Sequence, residues 1–392
     1  MHGKGTKLAC QLLLSGVVLP PQAAATIPNT TRTIQLFTAL IISRLKGKES
    51  SSMQSVLVIG AGLAGLAAAG RLAKAGLHVT ILEARDRIGG RVHTIRDQRL
   101  PIPIELGAEF LHGKPREIWD LVQDQNLIVG SLEGDNWCSE NHTVKKCNDF
   151  WPRWERVAAQ LKRAKTFPDR AFSEFVDTIK LDPETKKSAI EFVQGFNAAR
   201  ADMISVQYLA NAQETADRIS GDTPFRVFAG LDTIVQFFSR FDSNEVEIHL
   251  NTPVREIEWS SCYVRADTFE AEKAIVTLPL GVLQSGNVRF MPALKEKDAA
   301  ARELVMGHVV KVVLCFHGAF WEERGLTNLS FIHARGEKFP TWWTTRPIAT
   351  PILIGWAGGP PAEELALKGT GFILNAAIQS LANALKLSTR SV

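Results

Sequence analysis

Apolar positions in this chain of 392 residues change period along its length, and the changes divide it. Ser55–Ile59 is a short apolar run, the pattern of a strand buried on both faces of a parallel sheet. A stretch with helical spacing follows, and His78–Leu82 reads as the next strand. Over residues 114–214 the period turns helical, through Trp119, Leu121 and Val122, then Trp154, Val157, Ala158 and Leu161, then Phe172, Phe175 and Val176. Pro152, Pro168 and Pro183 punctuate that stretch. Residues 246–250, 254–259 and 261–266 then alternate as the strands of a small meander, and 272–278 reads as a buried strand. An apolar strand over 306–316 is broken by Lys311, and 363–385 reads as one or two amphipathic helices.

At this length a single core usually stops growing, so two domains are expected. The net charge of +4 gives the folded body no nucleic-acid signature. The first 52 residues carry Lys4, Lys7, Arg32, Arg44, Lys46 and Lys48 against Glu49, which leaves the remainder close to neutral. Cysteines at 10, 138, 147, 262 and 315 form no C-x-x-C pair and no metal-ligand spacing. The odd, sparse set points to free thiols in a reducing compartment, with a Cys138–Cys147 loop bridge as the lesser reading. In the head, Lys4 and Lys7 precede an apolar run over 8–19, and Ala23, Ala24 and Ala25 have the form of a cleavage site. Met53 stands just before the first strand, so 1–52 is read as an extension or a mis-assigned start, and the location as cytoplasmic. Export is the alternative if residues 1–25 act as a signal peptide. No stable membrane insertion is expected, because the second apolar stretch, 34–42, is too short to span a bilayer.

The chemistry starts at the end of the first strand. Gly60, Gly62 and Gly65 form G-x-G-x-x-G between a strand and a helix. The first permits the tight turn, the second lets backbone approach a pyrophosphate, and the third allows close helix–strand packing. Glu83 ends the second strand 23 residues after Gly60, where an acid accepts hydrogen bonds from a ribose. A carboxylate there disfavours a 2′-phosphate, so NADP is not expected. Gly89, Gly90 and Arg91 follow, a glycine pair that brings backbone close to a cofactor and a cation for its phosphates.

The segment from Glu83 to Arg91 resembles the E-A-x-x-R-x-G-G-R signature of flavin-containing amine oxidases. The resemblance implies FAD and adds Arg85 to the cofactor residues, with Arg87 read as a solvated turn residue. The segment over 105–113 resembles that family's E-L-G-A-x-W-x-H-G element, with Phe110 at the tryptophan position. By resemblance, Gly107 and Ala108 lie against the flavin ring and His112 lines the substrate pocket. Val254, after Asn251, Thr252 and Pro253, corresponds to a residue whose backbone meets the adenine end. The run over 307–316 resembles G-x-x-x-K-V-x-L-x-F, which makes Lys311 the catalytic candidate, holding a water against flavin N5. Trp342 and Trp343 read as core or pocket wall.

The implied fold is α/β: an FAD-binding Rossmann-like (GR2-type) domain over 53–113 and 226–287, interleaved with an α+β substrate-binding domain over 114–225 and 288–392. The implied reaction is oxidation of a primary or secondary amine, polyamine-like by preference, to an imine with O2 reduced to H2O2. A desaturase or protoporphyrinogen-oxidase type of the same fold is an alternative. The resemblance stops near Leu385, and nothing after it resembles the family's F-A-G-E-x-T…G-A-x-x-S-G segment. A C-terminally truncated, inactive fragment is therefore the second reading.

Overall fold

A computed structural model describes residues 11–12, 54–140, 143–147, 149–164, 168–241 and 245–389. The readings of the head lie outside the described residues, apart from Gln11–Leu12, which forms a short edge strand.

Ser55–Ile59 runs down the middle of a four-stranded parallel sheet of order Val246–His249, His78–Leu82, Ser55–Ile59, Lys273–Val276. Alternation assigns its two faces. Val56, Val58, Val79 and Ile81 pack with Leu66, Ala69 and Leu72 of helix Leu63–Lys74. Leu57, Ile59 and Leu82 pack on the other side with Val254, Ile257 and Ala266. Covering both faces is what allows so apolar a strand, at about 1.5–3 kcal/mol for each fully buried aliphatic side chain.

A second, seven-stranded sheet has the order Gln11–Leu12, Val309–Cys315, Ile352–Gly358, Thr341–Thr344, Leu329–Ala334, Asp135–Glu140, Thr143–Lys146. Val310, Val312 and Leu314 face a core with Trp342, Leu353 and the long helix Thr370–Leu385. Val313 faces the opposite way, toward Ile102, Ile104 and Trp343. Helices Phe150–Leu161, Phe172–Thr178, Pro183–Asn197 and Val206–Ile219 enclose a third core around Val157, Leu161, Phe172 and Val193. Asp182 accepts from Thr185 N–H, and Ser205 from Tyr208 N–H, starting two of them with side-chain caps.

Four sequence expectations need correction. The segment 114–214 is not helical throughout, because Val129–Ser131, Asp135–Glu140 and Thr143–Lys146 are strands. Asp135–Glu140 pairs in parallel with Leu329–Ala334, nearly two hundred residues away, a partner no local period can announce. Val246–His249 joins the parallel sheet beside His78–Leu82 instead of the meander. Lys273–Val276 is a half-buried edge strand, with Val276 38% exposed, not a fully buried one. Finally, Cys138 and Cys147 are bonded to each other, with Cα atoms 5.4 Å apart across the hairpin, whereas free thiols were expected.

Candidate active site

The glycine turn sits at the C-terminal ends of the parallel strands, where the chain leaves Ser55–Ile59 with one neighbour on each side. That is the switch point at which open α/β sheets bind ligands. Gly60 adopts φ +104° and donates to the Leu82 carbonyl at 2.8 Å. A Cβ on Gly65 would lie 1.9 Å from the Gly60 carbonyl oxygen, so the helix start is pressed against the turn. Gly62 is the contrast: a Cβ there would meet nothing within 4 Å. It begins helix Leu63–Lys74 with no side-chain cap and no acid in the first turn, leaving early N–H groups available to an anion.

The second glycine pair locks onto the first. Gly89 N–H donates to the Ala61 carbonyl at 2.8 Å, and a Cβ on Gly90 would lie 3.2 Å from the Gly62 Cα. Arg87 makes this turn, contrary to the expectation of a solvated side chain. Its guanidinium donates to the carbonyls of Gly90 at 3.1 Å and of Ile88 and Val92 at 3.3 Å. Burial lowers its pKa, the Arg85 charge adds to that, and Glu83 and Asp86 oppose it. Arg85 and Arg91 are exposed on the cleft wall. Glu83 is buried; its two oxygens accept from Ala61 N–H at 2.8 Å and Arg85 N–H at 3.0 Å, so the acid also shapes the loop. Each oxygen keeps a further lone pair for a ligand hydroxyl.

Of the catalytic and cofactor-binding candidates, all but Gly65 line one cavity of about 2250 Å³. Gly65 acts behind it, in packing. Val254 sends its side chain into the core beneath the sheet. Gly107 is needed for a reason the sequence did not give: a Cβ there would lie 2.0 Å from the Arg91 carbonyl oxygen. Ala108, whose N–H donates to that same carbonyl at 3.0 Å, is the exposed neighbour on the cavity side.

Lys311 lies in this wall, 8% exposed, on a strand otherwise buried and apolar. Its Nζ is 2.5 Å from Glu109 Oε2 and donates to the Gly107 carbonyl at 3.2 Å. Glu109 Oε1 accepts from Arg226 Nη2 at 2.6 Å and Trp343 Nε1 at 3.0 Å. Burial alone would raise the Glu109 carboxyl, but Lys311 and Arg226 outweigh it and hold the group at about 2. Glu105, one turn of chain earlier, accepts from Thr94 Oγ1 and from Leu231 N–H, both at 2.6 Å. Burial raises its carboxyl against those hydrogen bonds.

Aromatic rings close a circuit around the cavity. Centroid distances run Phe110–His112 6.2 Å, His112–Phe196 5.6 Å, Phe196–Phe192 5.3 Å and Phe192–Phe150 5.4 Å. They continue Phe150–His333 5.6 Å, His333–Phe331 6.1 Å, Phe331–Trp343 6.2 Å and Trp343–Phe110 5.8 Å, returning to the start. Both histidines in the circuit are driven toward the neutral form by burial. For His112, a hydrogen bond to the Gly221 backbone and the Asp222 charge work the other way. His333 is taken to about 4, with Arg335 adding to the burial effect. Trp342 belongs wholly to the core, and Trp343 to the wall.

The family model for flavin containing amine oxidoreductases matches residues 63–148 and 155–391. The chain belongs to this family. A model for pyridine nucleotide-disulphide oxidoreductases also matches, over residues 21–99. Among curated relatives of this flavin containing amine oxidoreductase, probable polyamine oxidase 4 of Arabidopsis thaliana is 27% identical over 368 residues, covering 83% of this chain and 70% of that one. Polyamine oxidase 3 of Oryza sativa subsp. japonica is 30% identical over 314 residues, covering 70% of this chain and 62% of that one. The chain thus spans 60–70% of the length of the polyamine oxidases it matches. Two solved structures share the fold at TM-score 0.71 and 20% identity: putrescine oxidase bound to putrescine and cyclohexylamine oxidase from Brevibacterium oxydans IH-35A. Each alignment covers 87% of this chain and 83% of the other.

The residues fit the flavin dinucleotide of the family. Gly62 leaves open space where a phosphate approaches backbone, Glu83 borders the same cleft, and the cavity exceeds the ~300–1,000 Å³ of ordinary ligand pockets. FAD is the cofactor of this fold. Sequence reasoning missed Glu109, Arg226 and His333. The available signal was charge inside apolar pattern: Glu109 between Ala108 and Phe110, and Arg226 inside the strand Pro224–Val227. Among the described residues no group of acids, cysteines and histidines could hold a metal ion, and no helix is long and apolar enough to cross a membrane.

Proposed function

We propose that the chain is an FAD-dependent amine oxidase that converts a primary or secondary amine to an imine, with O2 reduced to H2O2. The observation that carries this reading is that one cavity joins the open glycine cradle at Gly62 to the buried ammonium of Lys311. FAD, when bound, accepts the two electrons of amine oxidation and passes them to O2. Gly60, Gly62, Glu83, Arg85, Gly89, Gly90 and Arg91 would hold its dinucleotide part, with Gly65 packing the helix start behind them, Val254 at the adenine end and Gly107 and Ala108 beside the ring. Lys311 donates a hydrogen bond to a water in the cavity. The aromatic circuit excludes bulk water and offers ring faces to the amine.

Polyamine-type amines are the preferred substrates in this reading. Relatives bear that name, His112 stands in the wall, and Asp222 beside it presents a carboxylate to a second ammonium. The division into 53–113 with 226–287 and 114–225 with 288–392 belongs to the same reading. Cytoplasmic location loses the support that free thiols gave it, and the Cys138–Cys147 bond favours an oxidising compartment. The test is direct. Purified protein supplied with FAD and then freed of unbound cofactor by gel filtration should keep visible flavin absorbance and release H2O2 with spermidine or putrescine. Protein that is colourless after unbound FAD is removed would sink the proposal.

A further inference from the structure

Lys311, Glu109 and Arg226 form a charge cluster with side chains only 4–6% exposed. Four separate segments assemble it: the loop carrying Gly107 and Glu109, strand Pro224–Val227 with Arg226, strand Val309–Cys315 with Lys311, and strand Thr341–Thr344 with Trp343. Desolvation drives a lone buried ammonium toward the neutral amine, and a carboxylate in contact reverses that. Glu109 is such a carboxylate at 2.5 Å, itself kept ionised by two cations and the Trp343 indole. Glu105 is the other titratable group near Lys311, and its oxygens are engaged by Thr94 and Leu231. An ammonium has three N–H donors. Glu109 and the Gly107 carbonyl take two, which leaves one for a ligand in the cavity.

We propose that Glu109 is a positioning residue that fixes Lys311 as an ammonium, so that Lys311 acts in the cavity as a cation and single hydrogen-bond donor and not as a base. Arg226 anchors the carboxylate from its far side. The consequence for turnover rests on the amine-oxidase reading: Lys311 cannot take a proton from the substrate ammonium, so that proton must leave to solvent or to another group. The tether itself needs no cofactor.

Its test uses the full chain without added FAD. Lysine 15N labelling, with Lys311→Met to assign the signal, follows the Lys311 Nζ resonance against pH. In Glu109→Gln the titration midpoint should fall by at least about two units relative to the parent chain, in the range seen when buried lysines lose their counter-charge. Glu109→Asp should restore most of it. Gln would leave Arg226 buried without an anion, so Glu109→Gln with Arg226→Met provides a second variant if the first fails to fold, and it too should titrate below the parent. An unchanged midpoint in whichever Gln variant folds would overturn the proposal. The amine-oxidase reading fails separately: a tether confirmed in a chain that binds no flavin removes only that reading, and flavin binding with an unmoved Nζ removes only the tether.

Discussion

At the glycine end of the cavity the wall is backbone, whereas at the Lys311 end it is side chain, and the two respond to sequence change in different ways. The glycine end is made by residues 60–65 and 83–91, which meet through carbonyls, N–H groups and missing Cβ atoms. The Lys311 end is made by Glu109, Arg226, Lys311 and Trp343, which meet only after four distant segments have packed. A site built from backbone tolerates no added atom at its contacts and is indifferent where it faces open space. A site built from buried charge depends on every partner being present.

The sharpest break of that comparison is Gly65→Ala. Its methyl would have to displace the Gly60 backbone, 1.9 Å away, so we expect a loss above about 4 kcal/mol, measured by denaturant unfolding. Stability within ~1 kcal/mol of the parent would show that the turn is softer than described. Next is Arg226→Met at the other end. Glu109 keeps Lys311 and the indole but loses one cation, and the expected cost is about 3 kcal/mol by the same measurement.

Acid titration gives a third, smaller effect. Desolvation, with the Arg335 charge, lowers the half-buried His333 imidazole to about 4 from the ordinary 6.5. Between those values the unfolded chain binds a proton that the folded one refuses, so this contribution is complete above pH 6.5 and fades as pH falls toward 4. The full shift corresponds to about 3 kcal/mol, and the partial solvent access of the ring reduces it. In His333→Phe, unfolding free energy should vary less between pH 7 and pH 4.5 than in the parent; an equal slope would assign the pH dependence elsewhere. Smallest in stability is Gly62→Ala, expected within about 0.5 kcal/mol of the parent because its methyl meets open space at an ordinary φ of −71°. The same methyl enters the cradle, so flavin retention through gel filtration should drop. Full retention would mean that no phosphate approaches Gly62.

The same contrast explains what could be read in advance. Local spacing carried the glycine turn, because Gly60, Gly62, Gly65 and Glu83 belong to one strand–turn–helix–strand unit. The two central strands of the parallel sheet and Lys311 were legible as well, the latter because a cation interrupts Val309–Cys315. Arg87 was misread since its acceptors are carbonyls, which leave no trace in side-chain pattern. The strand Asp135–Glu140 and the Cys138–Cys147 bond were missed for another reason: one depends on Leu329–Ala334, the other on the hairpin that pairing permits. Glu109 and Arg226 lie 117 residues apart, and neither has a partner within its own segment.

The closed aromatic circuit bears on how the cavity moves. Its eight rings come from the Phe110–His112 loop, from helices Phe150–Leu161 and Pro183–Asn197, and from strands Leu329–Ala334 and Thr341–Thr344. The ring members differ in freedom: Phe196 is 57% exposed and has room toward solvent, whereas Trp343 is 5% exposed and is packed from behind. Any adjustment of the wall falls first to the side carried by helix Pro183–Asn197, where a ring already meets solvent.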